Sequence, residues 1–491
     1  MFLSKSKFLE GLSCPKLLWY EFNRPAQIAP DDAERLEIIK QGKIVGEHAQ
    51  RLYPGGSKIE WSDDPRKMHE RSIAALKERR PLFEAGFVHG ETYAQADILL
   101  PVENDAWDLI EVKSTTMVKD DHLYDAAFQK YVYQGAGIKL RNCYLMHLNT
   151  KYVRSGALEL EKLFVKVEVN ELVGQLLPKM ESKVAEMLEM LKGPGPDIKV
   201  GRQCQADCPL HDYCWQFLPE QHVFILRGKK DAAFDLLERG ILQMKDIPKD
   251  YELNESHTIQ MESHNSGQPF VDIDSLNIFL EKLEYPLYFL DFETIAPAIP
   301  VYDLTRPYED IVFQYSLHVV EKEGSKPLHY SYLAPGDVDP RPEVIKQLVK
   351  LLGKSGSIIA YFAQYEKQCI KSMVNNFPEY APWFEETVNR FVDLLIPFKR
   401  MFYYSPKQQG SASMKKVLPA LTGLSYADLV IGNGGAARFE FMRVTFEKGV
   451  DPDDRQRVRD ALEKYCELDT LGMVKILEAL KKATIGIHHA D

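Results

Sequence analysis

The sequence predicts an α/β chain of two domains, and three observations carry that prediction. Its 491 residues exceed a single ordinary domain. Between residues 84 and 115 a strand meander runs into "WDLIEVKST", an apolar stretch closed by Glu111, Val112 and Lys113. Further on, "YPLYFLDFETI" opens a region where strands and helices alternate to the end of the chain. The expected division is 1–225, a connector over 226–284, and 285–491.

Residues 5–53 read as helices. "DDAERLEIIKQGKIVGEHAQRLYPGG" has helical periodicity and stops at Pro54-Gly55-Gly56. "EAGFVHGETYAQADILLPVENDAWDLIEVKST" reads as strands turning near "HGE" and "PVENDA". "DAAFQKYVYQGAG" is helical and ends at glycine, and "RNCYLMHLNTKYV" is a further strand. An amphipathic helix over 170–192 is broken by "KGPGPD". The polar stretch 226–284 reads as a connector with small helices. The last long helix is expected over 453–482.

Hydrophobic content is 45% and charged content 27%, the balance of a globular chain. The apolar runs are too short to cross a bilayer. Charges interrupt "MFLSKSKFLEGLSCPKLLWY" throughout, so it does not read as an export signal. A cytoplasmic setting and reduced thiols are therefore expected. The net charge of −11 argues against a basic mantle over the whole chain, but leaves room for a local basic groove or acidic metal ligands.

Asp97 lies in "QADILLP", with thirteen residues between it and Glu111. A short turn between two strands brings the two carboxylates together. Glu111 and Lys113 share a strand face. Two hard carboxylates suit Mg²⁺ or Mn²⁺, and an adjacent lysine can orient water or offset charge on phosphorus. Gln129 and Tyr133, four apart on the following helix, share a face; they can brace these ligands, or be the polar edge of a packed helix. "CQADCPLHDYC" spaces Cys204, Cys208 and Cys214 closely. Zinc in a Cys₄ or Cys₃His site with His211, or an iron–sulfur cluster, would explain them. Cys14 is the nearest match for a fourth thiolate, and its recruitment would tie the start of the domain to its end.

Cys14, Asp97, Glu111-x-Lys113, Gln129-x₃-Tyr133, then Cys204, Cys208 and Cys214 resemble, in that order, the RecB-type PD-(D/E)XK nucleases that carry an iron–sulfur cluster. CRISPR-associated exonucleases of that kind and the AddB nuclease subunit are similar. The resemblance covers about residues 1–220. It implies a restriction-endonuclease-like domain, a [4Fe–4S] cluster on the four cysteines, Mg²⁺ or Mn²⁺ at Asp97 and Glu111, and catalysis assisted by Lys113. That superfamily often adds a His or Glu from an early helix; "VGEHAQ" offers Glu47 and His48. The last three cysteines are spaced three and five, where two and five is usual.

In "YPLYFLDFETI", Asp291 and Glu293 alternate and share one face. Like charges side by side repel unless a cation or proton relieves them. In the last helix Asp469 interrupts the apolar stripe Val458, Leu462, Tyr465, Met473, Ile476; an inward carboxylate needs a partner or a metal. Asp-x-Glu on a first strand with Tyr-x₃-Asp on a late helix resembles the DEDD exonucleases, which are ribonuclease H-like. The resemblance implies two-metal 3′-to-5′ exonuclease chemistry, with Asp291, Glu293 and Asp469 as ligands and Tyr465 positioning the attacking water. Glu366, in "IIAYFAQYEKQCI", stands where that family uses Asp, and Phe362 where Asn is found. Asp393, in "FVDLLIPF", reads as structural. The whole layout resembles an uncharacterised bacterial family fusing these two nuclease types.

"IGNGGAARF" lacks the Lys-Ser or Lys-Thr of a phosphate loop, and there is no H-E-x-x-H helix. Tyr403, Tyr404, Trp383 and Phe402 read as core, with base stacking as the alternative. His488 and His489 read as a frayed tail. The expectation is a metal-dependent DNA nuclease acting on single strands or ends, in repair, end processing or defence. Its alternatives are an RNA exonuclease and a nucleic-acid clamp with one inactive module. No membrane partner is expected.

Overall fold

A computed structural model describes residues 1–31 and 33–485; His488 and His489 lie outside the described residues. The chain is mixed α/β and divides into two compact units. The first is Met1–Gln216 with Pro297–Glu309, and the second is Phe217–Ala296 with Asp310–Asp491. Among the described residues, no helix is long and apolar enough to cross a membrane.

The first unit is built on a seven-stranded sheet. Its strands are β1 (Leu3–Ser4), β2 (Ser57–Lys58), β3 (Leu82–His89), β4 (Thr92–Pro101), β5 (Trp107–Lys113), β6 (Leu140–Leu148) and β7 (Phe164–Glu168). The order is β2-β3-β4-β5-β6-β7, with β1 parallel to β4. β3, β4 and β5 form the expected antiparallel meander. Its turns fall where predicted: Gly90 takes φ +56 after β3, and Asn104 and Asp105 take φ 58 after β4. β5 then runs parallel to β6 through the helix between them.

The helices α1 (Lys5–Ser13), α2 (Pro15–Asn23), α3 (Ala33–Gln50), α4 (Pro65–Leu76) and α5 (Asp120–Gly135) belong to this unit. α4 starts where Asp64 caps the Arg66 amide at 2.9 Å, with Pro65 at the first helical position. α5 buries Ala126, Phe128, Val132 and Tyr133 in the main core with Phe8, Phe87 and Leu109. The amphipathic segment at 170–192 is two helices, Asn170–Leu176 and Met180–Lys192, because a 3₁₀ turn containing Pro178 separates them. Pro297–Glu309 belongs here because Ala298 and Ile299 pack with Val45, Ile110 and Leu148. The Ala298 amide donates to Gln41 at 3.2 Å, and Arg154 donates to the carbonyls of Pro300 and Val301.

The second unit contains β8 (Phe270–Val271), β9 (Leu287–Ile295), β10 (Ile311–Val320), β11 (Leu328–Leu333), β12 (Ile358–Ala360), β13 (Phe391–Asp393) and β14 (Tyr403–Tyr404). Five strands form one sheet in the order β11-β10-β9-β12-β13; β8 and β14 pair separately. β10 and β11 are antiparallel to their neighbours, whereas β12 and β13 run parallel to β9. β9 is the central strand its apolar run implied, and all ten residues of β10 are buried. The last helix is Pro452–Ile485.

The expected connector over 226–284 is part of this unit and has its own packing. Leu226, Ala233, Leu236 and Met244 cluster with Val223 and Ile225. Buried polar groups complete it: Gln260 accepts from the Arg227 amide at 2.8 Å, and His264 meets the Tyr404 hydroxyl at 2.9 Å. A core closed by amides and imidazoles leaves little hydrophobic periodicity to read.

Candidate functional site

Each unit holds a group of carboxylates on neighbouring elements. In the first, Ile98 pairs with Ile110 across β4 and β5, so the same register sets Asp97 opposite Glu111. Asp97 accepts from the Val112 amide at 2.6 Å. One oxygen of Glu111 accepts from Lys5 of α1 at 2.6 Å and from Lys113 at 2.9 Å; the other accepts from Gln129 at 2.7 Å. Lys113 also pairs with Asp125 of α5, to which Gln129 donates at 2.8 Å.

Burial raises the Glu111 carboxyl, but Lys113 and Lys5 outweigh it and hold the group far below its usual range. Asp97 is pushed up to about 8 by burial and then by the charge of Glu111. The site opens into a cleft of about 970 Å³, lined by Lys5, Lys43, Glu47, Asp97, Glu111 and Lys113, among others. Of the early-helix pair, Glu47 lines this cleft, whereas His48 turns its Nδ1 to the Ile44 carbonyl at 2.8 Å.

Tyr133 does not join the group. Its buried hydroxyl donates to the Ala85 carbonyl at 2.6 Å, so it braces β3. Lys5 and Asp125 also belong to this site, outside the sequence candidates. Asp125 had a signal, since it lies four before Gln129 on one helical face. Lys5 had none, because only the tertiary fold brings α1 to β5.

Cys14 sits between α1 and α2 as the residue before the second helix. Cys14, Cys208 and Cys214 pack around Leu17, Tyr20 and Leu210. All four predicted cysteines are free and half-buried. Burial raises the Cys208 thiol, and Cys14, Cys214 and Cys204 add to the rise. His211 faces Asp212 at 3.2 Å and stacks on Trp215, so its ring is engaged elsewhere.

In the second unit, β9 presents Asp291 and Glu293, and the last helix presents Asp469. Oxygens of all three lie within 4.8 Å of one another. Burial and then the charges of Asp469, Glu293 and Glu366 hold Asp291 well above the usual range. Burial and Asp469 push Glu293 up to about 8, with Arg438 and Lys415 opposing. Burial pushes Glu366 to about 8 and Asp469 to about 7.

The hydrogen-bond partners of Asp469 and Asp291 are neutral. Tyr426 donates to Asp469 at 2.6 Å, Tyr465 adds a second hydroxyl, and the Cys466 thiol faces Asp291 at 3.8 Å. The buried Oε2 of Glu366 has no hydrogen-bond partner among the described residues. Crowded acids, an orphaned carboxylate oxygen and a set of hard donors fit a divalent cation. Glu366 lies near enough for its charge to raise Asp291 and Glu293, but outside the trio whose oxygens lie within 4.8 Å of one another.

Glu366 is positioned from its helix, Ala363–Asn376. Phe362 precedes that helix at φ 74, a left-handed backbone for a non-glycine residue. Asp393 accepts from the amides of Phe362 at 2.9 Å and Leu395 at 3.0 Å, which holds this bend. "IGNGGAARF" also finds its place. Asn433 caps the helix Gly434–Phe446 by accepting from Ala436 at 2.8 Å. A side chain at Gly434 would lie 3.7 Å from Glu293, so this helix start faces a carboxylate that its dipole favours. Of the four aromatics, Tyr404 is buried in its hydrogen-bond network, Trp383 packs on the sheet core, and Phe402 lines a separate cavity of about 530 Å³. Tyr403 extends β14.

Residues 288–413 match a domain of unknown function, DUF2779. The match spans Asp291, Glu293, Glu366 and Asp393, and stops before Asp469. Among curated proteins, the chain is similar to the uncharacterized protein UU173 of Ureaplasma parvum. Identity is 26% over 223 residues, covering 41% of this chain and 32% of that one. It is also similar to the uncharacterized MG366 homolog of Mycoplasma pneumoniae, at 24% over 394 residues, 68% of this chain and 58% of the relative. Uncharacterized protein MG366 of Mycoplasma genitalium is 25% identical over 237 residues, 44% of this chain and 35% of its own. The chain thus spans from a third to under three-fifths of these relatives.

Proposed function

We propose that the protein is a divalent-metal-dependent nuclease with two hydrolytic modules, acting on DNA strands or ends. The reading rests on one observation above the rest: Asp291 and Glu293 of β9 meet Asp469 of the last helix, and the hydrogen-bond partners of Asp291 and Asp469 are a thiol and a phenol. In this reading the second unit is ribonuclease H-like, of the DEDD type. Asp291, Glu293, Asp469 and Glu366 hold Mg²⁺ or Mn²⁺, and bound cation supplies Lewis-acid polarisation of a phosphodiester. Tyr465 orients the attacking water, Tyr426 holds Asp469 in its rotamer, and Lys415 and Arg438 offset phosphate charge.

The first unit, in the same reading, is of the PD-(D/E)XK type. Asp97 and Glu111 are its ligands, Glu47 the added acid from the early helix, and Gln129 fixes Glu111. Lys113 offsets charge at phosphorus. Lys5 already neutralises Glu111, so a cation must share or displace that contact. The sulfur donors of Cys14, Cys204, Cys208 and Cys214 suit a [4Fe–4S] cluster that joins the two ends of the unit.

Digestion of end-labelled single-stranded DNA, and of RNA of the same sequence, with Mn²⁺ tests the proposal. Asp291→Ala and Glu111→Ala should each remove a distinct activity. Unchanged digestion by both variants would refute it. A brown, iron-bearing protein from anaerobic purification supports the cluster, and a colourless zinc protein overturns it.

A further inference from the structure

Outside the carboxylate groups, one more set of donors converges in the second unit. His318 on β10 pairs directly with His329 on β11. Their rings stack with centroids 4.5 Å apart. Glu467 of the last helix approaches from the side, its Oε1 3.8 Å from His329 Nδ1. One donor atom from each of the three lies within 4.8 Å of the others.

What distinguishes this from a chance cluster is the polar shell behind the rings. His318 Nδ1 is 2.8 Å from the Thr470 hydroxyl, and His329 Nε2 is 2.9 Å from the Ser316 hydroxyl. The two hydroxyls are 2.6 Å apart, and Thr470 reaches the Glu467 carbonyl at 3.2 Å. Each proton is used once if both rings donate to the hydroxyls, Ser316 donates to Thr470, and Thr470 donates to that carbonyl. The lone pairs then remain on His318 Nε2 and His329 Nδ1, beside Glu467. Metal-binding histidines are oriented in this way, by a hydrogen bond from the other ring nitrogen.

We propose that His318, His329 and Glu467 bind a zinc-class divalent ion, with Thr470 and Ser316 holding the two imidazoles in register. Two imidazoles and one carboxylate select Zn²⁺ over Mg²⁺ or Ca²⁺, which prefer all-oxygen sites. Zinc–nitrogen bonds of about 2.0–2.1 Å require the donors to draw in to roughly 3.3 Å. His318 is buried and anchors the site. The His329 and Glu467 side chains are 28% and 48% exposed and supply the movement. Solvent fills the remaining positions.

β11 is an edge strand of the sheet, and four of its six residues are exposed. An ion here clamps that edge to the last helix. Glu467 and Thr470 flank Asp469 on that helix, and Ser316 pairs with Asp291 in the sheet. The clamp therefore fixes the two backbones that carry Asp291 and Asp469, whatever those carboxylates do.

The test is Zn²⁺ equilibrium dialysis with metal analysis on the full chain, in excess Mg²⁺, comparing wild type with His329→Ala and Glu467→Gln. Both changes are at exposed side chains, and the cysteines are the same in all three proteins. Wild type should retain one more equivalent of Zn²⁺ than either variant, and Zn²⁺ should raise its Tm more. Ser316→Ala, which keeps all three ligands, should weaken this Zn²⁺ binding about tenfold. Equal Zn²⁺ content and equal Tm shifts in wild type and both ligand variants would overturn the site.

Discussion

The two carboxylate groups use the same residue types, yet Glu111 of the first sits in the opposite electrostatic state to the acids of the second, with which Asp97, pushed up to about 8, sides. In the first unit, Glu111 is buried against Lys5 and Lys113 and is driven far below its usual range. In the second, Asp469 has a phenol and Asp291 a thiol for company, and these two, Glu293 and Glu366 are all driven upward. Burial acts the same way on both. The difference is whether the chain supplies a cation in direct contact: Lys5 and Lys113 touch Glu111, whereas Arg438 and Lys415 act on Glu293 only through their charge. Where it does, the acid is a structural anion already; where it does not, protons or an external cation must complete the group.

Asp291→Asn gives the largest expected effect and divides activity from stability. In the proposed nuclease it lowers Mn²⁺-dependent digestion by the second module by about a thousandfold, roughly 4 kcal/mol at the transition state. In EDTA the same variant should melt no lower than wild type, because the amide is neutral like the protonated acid it replaces and cannot ionise as pH rises. A large loss of Tm in EDTA would mean the aspartate is structurally paired and would break the contrast.

Glu111→Gln should behave in the opposite way. It strands Lys5 beside a neutral amide and removes one of the two partners of Lys113, at a cost of about 3 kcal/mol. Denaturant unfolding in EDTA measures this. A neutral outcome would mean that the ammonium groups are solvated and that Glu111 is free for a metal.

The pH dependence of metal-free protein sharpens the comparison further. Glu293 and Glu366 at about 8 and Asp469 at about 7 bind protons more tightly folded than unfolded. Their contribution to stability is complete below pH 4 and is lost as pH rises toward 8. Glu111 has the reverse sign: its contribution is present above its unfolded pKa and is lost only in strong acid. In EDTA, Tm should therefore fall between pH 5 and 8, and Mg²⁺ should restore more of it at pH 8 than at pH 5. Asp291→Asn should flatten the slope. A Tm that rises with pH over this window contradicts the assignment.

Tyr133→Phe has the smallest expected effect. Removing the donor to the Ala85 carbonyl should cost about 1 kcal/mol in unfolding and leave digestion by the first module unchanged. A selective loss of activity would return Tyr133 to the site.

Much of the frame was legible in the sequence because it depends on local periodicity. The β3–β5 meander follows from alternation and from turns at Gly90 and Asn104-Asp105. The same antiparallel pairing places Asp97 by Glu111. The inward position of Asp469 follows from its interruption of a helical stripe. The stretch 226–284 reads as a connector in the sequence because its core is closed by Gln260, His257 and His264, and polar closure has no period. The excursion Pro297–Glu309 into the first unit has no local mark either. It is defined by what Ala298 and Ile299 touch.

By itself, then, the sequence determined the α/β class, the strands and helices that carry the acids, and which acids face inward. These follow from backbone geometry over a few residues. Only the tertiary structure decided that Lys5 neutralises Glu111, that Tyr426 donates to Asp469, that Tyr133 serves β3, and that His318 meets His329 and Glu467. Contacts between residues far apart in the chain depend on how elements pack, and burial makes each such contact decisive for charge.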